Sequence, residues 1–181
     1  MKTTLIIGGA RSGKSTFAQE MALKSGAPVL FVATAEAGDE DMKKRIEVHR
    51  KSRPAKWATL EATTHIGRQI SENISKAQIV IIDCITLLVN NIFMHYNDAT
   101  NAELAEKGVL AEIEELIDCI DRTDAHFIIV TNEIGLGVVP ADRVSRLYRD
   151  ILGRANQRLA QYADEVYVLT AGIPTAIKKP C

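Results

Sequence analysis

Apolar positions along the chain fall into short dense runs separated by longer stretches with helical spacing. Thr3 to Ile7 is the first apolar run, and a helical pattern extends from Ser15 to about Lys24, with a glycine-rich turn between them. A second run, Val29 to Ala33, follows Gly26-Ala27-Pro28. From Asp39 to about Lys51 most residues are charged, with Met42, Ile46 and His49 at three- and four-residue spacing, which predicts a one-faced helix that Pro54 ends. A short extended piece from Trp57 to Leu60 and an amphipathic helix through Ile66, Ile70 and Ile74 come next.

Ile79-Val80-Ile81-Ile82 then ends in Asp83, and a β-branched run without alternation suits a strand covered on both faces. Two helical stretches follow, Thr86 to about His95 and Asn101 to about Arg122, the second carrying Leu104, Leu110, Ile113, Leu116, Ile117 and Ile120. The run Phe127 to Val130 leads into a loop from Thr131 to Pro140, a helix from Asp142 to about Gln161, and a last strand from Glu165 to Leu169. Strands that alternate with helices across short links predict an open, mostly parallel α/β sheet with helices on both faces, in one domain over residues 1–181. Ligands of such sheets bind beyond the C-terminal ends of the strands.

Composition narrows the partners. A formal net charge of -1, with no long basic run, argues against a nucleic-acid partner. Leu5-Ile6-Ile7, interrupted by Gly8, is too short for a membrane span or a signal peptide, so a cytoplasmic protein is expected. The cysteines Cys84, Cys119 and Cys181 form no CxxC pair, and read as reduced thiols.

Chemistry enters at the first turn. Gly8-Gly9-Ala10-Arg11-Ser12-Gly13-Lys14-Ser15 satisfies the P-loop spacing directly after a strand and directly before a helix. There the glycines let backbone N–H groups point at a phosphate and the helix N-terminus adds its dipole. Lys14 reaches the β/γ oxygens, and the Ser15 hydroxyl can ligate Mg²⁺. Asp83, ending a buried strand, is the matching acidic partner for the metal. The segment Arg45 to Pro54 sets His49 among four cations at a helix end, where a neutral imidazole could attack phosphorus. By itself, that segment reads better as a solvated basic helix end with an incidental histidine.

These residues combine with Ala33-Thr34, Arg45-Ile46-x-x-His49, Arg53-Pro54-x-x-Trp57 and Asp83-Cys84-Ile85-Thr86. Two later blocks join them, Thr131-Asn132-Glu133-Ile134-Gly135-Leu136-Gly137-Val138-Val139-Pro140 and Tyr148-Arg149-Asp150-x-x-Gly153-Arg154-x-Asn156-Gln157. Nearly end to end, the chain resembles the bifunctional adenosylcobinamide kinase/adenosylcobinamide-phosphate guanylyltransferase family of cobalamin biosynthesis. The resemblance implies a P-loop NTPase of the RecA-like kind, and two reactions. ATP or GTP phosphorylates adenosylcobinamide, and GMP then passes from GTP to that phosphate through a guanylylated histidine, for which His49 is the matching position. Val48 departs from the many relatives with histidine or a basic residue just before it.

The resemblance further implies nucleotide contacts from Ala33, Thr34 and Ala35, from Arg50, Lys51, Ser52 and Arg53, and from Glu61 and Asp83, together with a homotrimer. Glu61 could accept bonds from a guanine edge or from ribose hydroxyls. Gly135 and Gly137 let the later loop bring backbone close to a ligand. Arg146, Arg149 and Arg154 recur at helical spacing, where phosphate, a neighbouring subunit or solvent could meet them. A kinase without the transferase step, and a nucleotide-dependent switch, are the other readings.

Overall fold

The computed structural model describes residues 2–36, 40, 47, 50, 53–96 and 101–179. In chain order its elements are β1 (Lys2–Gly8), α1 (Lys14–Ser25), β2 (Val29–Ala33), β3 (Ala58–Glu61), α2 (Ile66–Asn73) and β4 (Ile79–Asp83). They continue with α3 (Ile85–His95), α4 (Ala102–Arg122), β5 (His126–Asn132), α5 (Arg143–Tyr162), β6 (Glu165–Thr170) and β7 (Ile173–Lys178). The helix expected from Asp39 to Lys51 lies largely outside the described residues.

The strands form a seven-stranded sheet in the order β3-β2-β4-β5-β1-β6-β7. Every neighbouring pair is parallel except β6 and β7. Strand β5 separates the P-loop strand β1 from the Asp83 strand β4, as in RecA-like P-loop NTPases. The expected α/β class therefore holds.

Alternation along the buried strands divides the core into two layers. Leu5, Leu30, Val32, Val80, Ile82, Phe127 and Ile129 pack with α2, α3, α4 and α5, through residues such as Ile70, Leu88, Ile113 and Leu152. Ile6, Phe31, Ile79, Ile81, Ile128 and Val130 face the other way, against Ala18 and Ala22 of α1, Trp57 and Leu169. Both faces are dry, which is why these strands read as continuous apolar runs. On α4 the buried stripe runs through Ala105, Val109, Ile113, Leu116 and Ile120, while Leu104 is exposed.

Helix α2 has no cap from its own N-terminal side chain. The Glu112 carboxylate on α4 accepts the backbone N–H groups of His65 at 2.8 Å and Ile66 at 2.7 Å, so one helix caps another across the core.

The sheet does not end with β6. Strand β7 returns antiparallel through a two-residue turn in which Ala171 and Gly172 both have positive φ, 51° and 83°. Pro174 sits near its start, and every described β7 side chain is at least partly exposed, so the segment carries neither an apolar run nor a buried face to read.

Candidate functional site

The loop Gly8 to Ser15 is shaped by close packing. A Cβ on Gly8 would lie 2.5 Å from the carbonyl oxygen of Leu169, so only glycine fits where β1 meets β6. Gly13 caps α1 at φ 94°, in the left-handed region. Its Cα–H side faces Gly172 of the β6–β7 turn, and the Gly172 N–H donates to the Ser12 carbonyl at 3.0 Å. The edge hairpin that the sequence pattern did not reveal thus braces the P-loop.

Lys14 is 7% exposed and curls over that loop, its ammonium donating to the Gly9 carbonyl at 2.6 Å and to Ser12 Oγ at 3.4 Å. Burial lowers its pKa, and the neighbouring ionisable groups Cys84 and Asp83 oppose the shift. Burial also pushes the Cys84 thiol up to about 11, which keeps it neutral.

A cavity of about 1030 Å³ opens over the loop, at the C-terminal ends of the parallel strands. Residues 10 to 16 form its floor, with Ser15 and Lys14 among them. Ala33, Ala35 and Glu36 line it after β2, Glu61 after β3, Asp83 and Cys84 after β4, and Val130 and Asn132 at β5. Arg53 and Gln69 complete the wall.

Arg53 enters this cavity held from behind. Its guanidinium carbon lies 4.0 Å from the centre of the Phe31 ring, a cation–π contact, and Phe31 in turn stacks on Trp57. Its Nε is buried without a hydrogen-bond partner among the described residues. Burial lowers the Arg53 pKa, while Asp83 and Glu61 act in the opposite sense. A half-buried guanidinium with an unpartnered Nε beside a P-loop is an arrangement an oxyanion would complete.

Other expected contacts are placed differently. Thr34 is fully buried. Its hydroxyl donates to the Cys84 carbonyl at 2.7 Å and accepts the Cys84 N–H at 2.9 Å, so it holds the Asp83 turn and does not line the cavity. Gly8 and Gly9 shape the loop without lining the cavity, and Arg50 pairs with exposed Glu61 at 3.8 Å. His49, Lys51 and Ser52 lie outside the described residues. Asn132 and Gln69 went unread as site residues, although Asn132 ends a buried strand just as Asp83 does.

Residues 4–177 match the family model described as cobinamide kinase / cobinamide phosphate guanyltransferase. The chain belongs to that family. It is 39% identical over 179 residues to the bifunctional adenosylcobalamin biosynthesis protein CobU of Escherichia coli (strain K12), covering 96% of this chain and 98% of the relative. The protein of the same name from Salmonella typhimurium is 41% identical over 180 residues, with 96% and 98% covered. The bifunctional adenosylcobalamin biosynthesis protein CobP of Pseudomonas aeruginosa is 37% identical over 174 residues, with 96% of each covered. The expected kinase and guanylyltransferase family is thus borne out. Among the described residues, no helix is long and apolar enough to cross a membrane.

Proposed function

We propose that this enzyme phosphorylates adenosylcobinamide with ATP or GTP and then transfers GMP from GTP to adenosylcobinamide phosphate through His49. The observation that carries the reading is the convergence of Lys14, Arg53, Ser15 and Asp83 on one cavity above a P-loop. Buried Lys14 and half-buried Arg53 answer the charge of a triphosphate, and the exposed Glu61 carboxylate at the wall can accept bonds from base or ribose.

In the first step the aminopropanol hydroxyl of the corrinoid attacks the γ-phosphorus, its proton passes to solvent, and the nucleoside diphosphate leaves. Lys14 and the loop N–H groups hold the oxygens on which charge spreads. In the second, a neutral His49 imidazole nitrogen attacks the α-phosphorus of GTP and the α–β bridging bond breaks, releasing pyrophosphate. A phosphate oxygen of adenosylcobinamide phosphate then attacks the same phosphorus, the P–N bond breaks, and His49 is regenerated as adenosylcobinamide-GDP forms.

Mg²⁺ fits the donors present. The Ser15 hydroxyl and the Asp83 carboxylate line the same cavity, and among the described residues no group of three or more His, Cys, Asp or Glu forms a metal cage. A site of one hydroxyl and one carboxylate, completed by phosphate and water, is the kind magnesium accepts. When bound, the ion would be held by Ser15 and Asp83 and would offset the charge of the phosphates.

We place the enzyme in the cytoplasm with its nucleotides, as a homotrimer. Leu136 and Val138, 92% and 95% exposed, supply apolar surface that a neighbouring subunit would cover. Light scattering that returns a monomer mass at working concentration removes the trimer from this reading.

Product analysis tests the whole. With adenosylcobinamide, GTP and Mg²⁺ the phosphate accumulates first and adenosylcobinamide-GDP follows, and a chelator stops both. Phosphate without any guanylylated product leaves a kinase alone.

A further inference from the structure

Strand β5 alternates strictly between the two core layers. Ile128 and Val130 face the α1 side with the P-loop, while Phe127 and Ile129 face the other helices. Asn132, two residues beyond Val130, therefore emerges on the P-loop side, and both residues line the cavity. The strand register sets Asn132 beside Gly8 of β1 and Val130 beside Asp83 of β4. Its side chain accordingly stands between the loop that carries Lys14 and the strand end that carries Asp83.

The backbone of Asn132 is clamped on both sides. Its N–H donates to Thr86 Oγ1 at 2.8 Å, and its carbonyl accepts from Asn156 Nδ2 at 3.0 Å. Thr131 turns away from the cavity and donates to Asn156 Oδ1 at 2.7 Å, and the next N–H, of Glu133, donates to the Gly8 carbonyl at 3.0 Å. Two hydrogen bonds on Asn132 and one on each chain neighbour thus fix a residue whose carboxamide has no partner among the described residues.

We infer that Asn132 is a catalytic residue, its carboxamide N–H donating to an oxygen of the terminal phosphoryl group of the bound triphosphate, with Thr86 and Asn156 as positioning residues that aim it. A neutral amide suits this place. It offers donors between a cation and a carboxylate without titrating and without repelling phosphate. The inference rests on the nucleotide-binding reading of the cavity, and needs no corrinoid.

The test compares GDP with a non-hydrolysable GTP analogue by calorimetry, with Mg²⁺ present, on the full chain. Asn132→Ala should weaken the analogue about tenfold while GDP affinity stays within about twofold, because a hydrogen bond to a charged group is lost only where the terminal phosphate exists. The near-isosteric Asn132→Asp should weaken the analogue further through charge repulsion, at an unchanged melting temperature. Thr86→Val should shift the same ratio by less. Equal weakening of both nucleotides, or of neither, overturns the inference, since a merely structural residue would not separate them. A wild-type protein that discriminates the two nucleotides but never phosphorylates adenosylcobinamide would sink the proposed function and leave the Asn132 reading intact.

Discussion

The Arg53 guanidinium carbon lies over the Phe31 ring, 4.0 Å from its centre, with its Nε buried and without a hydrogen-bond partner among the described residues. Phe31 is 1% exposed, in the strand that leads to Ala33 and Ala35 at the cavity, so the cation is held by the core and presented to the site. A flexible ammonium cannot reproduce a delocalised guanidinium held over a ring. Arg53→Lys should therefore raise the dissociation constant for GTP about tenfold despite keeping the charge, and Arg53→Ala by more. Equal affinity for wild type and Arg53→Lys would show that only net charge matters there.

Lys14 reaches its loop from the first turn of α1, and both proposed transfers start from a triphosphate held on that loop. Lys14→Ala should lower kcat/KM for phosphorylation and for guanylyl transfer alike, by roughly a hundredfold or more. Measuring the two steps separately checks this. Loss of one with the other untouched would mean two nucleotide sites.

Glu112 tests the fold rather than the chemistry. It is 6% exposed and satisfies two backbone N–H groups at the start of α2, whose own N-cap side chain makes no such bond, while Glu115 accepts the Arg68 N–H in the same turn. Glu112→Ala leaves those donors buried and should cost about 3 kcal/mol in urea unfolding, with nucleotide affinity of the folded protein retained. A cost below about 1 kcal/mol would mean that water replaces the carboxylate.

Two histidines give opposite pH signatures. The His65 pKa is raised, first by its hydrogen bond to Glu115 and then by the charge of Glu112. Its stabilisation is complete below the unfolded value near ~6.5 and is lost as pH rises through the folded one. The His126 pKa is lowered, first by burial and then by Lys2, beside the Thr4 hydroxyl at 2.9 Å. There the unfolded chain takes the proton more readily, so stability is complete above about 6.5 and falls as pH drops through the folded value. Urea midpoints between pH 5 and 8 should therefore become less acid-sensitive in His126→Gln and more so in His65→Gln. His65 is exposed, so its effect should be the smaller.

The P-loop and Asp83 were legible because each stands where an apolar run stops, and a strand buried on both faces leaves no ambiguity about its end. Strand β7 was not, because Pro174 interrupts it and no face of it is fully buried. Thr34 shows a different limit. Small residues after a strand look alike whether they meet a ligand or, as here, bond a neighbouring turn through Cys84. The stacking of Arg53 on Phe31 and the capping of α2 by Glu112 join segments distant in sequence, and neither leaves a periodic trace. Asn132 had the same signal as Asp83, a polar residue ending a buried strand, but within a loop block its side was not readable until strand parity was known.

The guanylylated histidine is the claim that separates this enzyme from an ordinary kinase. Mass spectrometry of protein treated with GTP and Mg²⁺ tests it most directly. The account predicts a single acid-labile GMP adduct on the peptide containing His49, discharged by adenosylcobinamide phosphate and absent in His49→Ala. An adduct on another residue, or one that persists in His49→Ala, would contradict it.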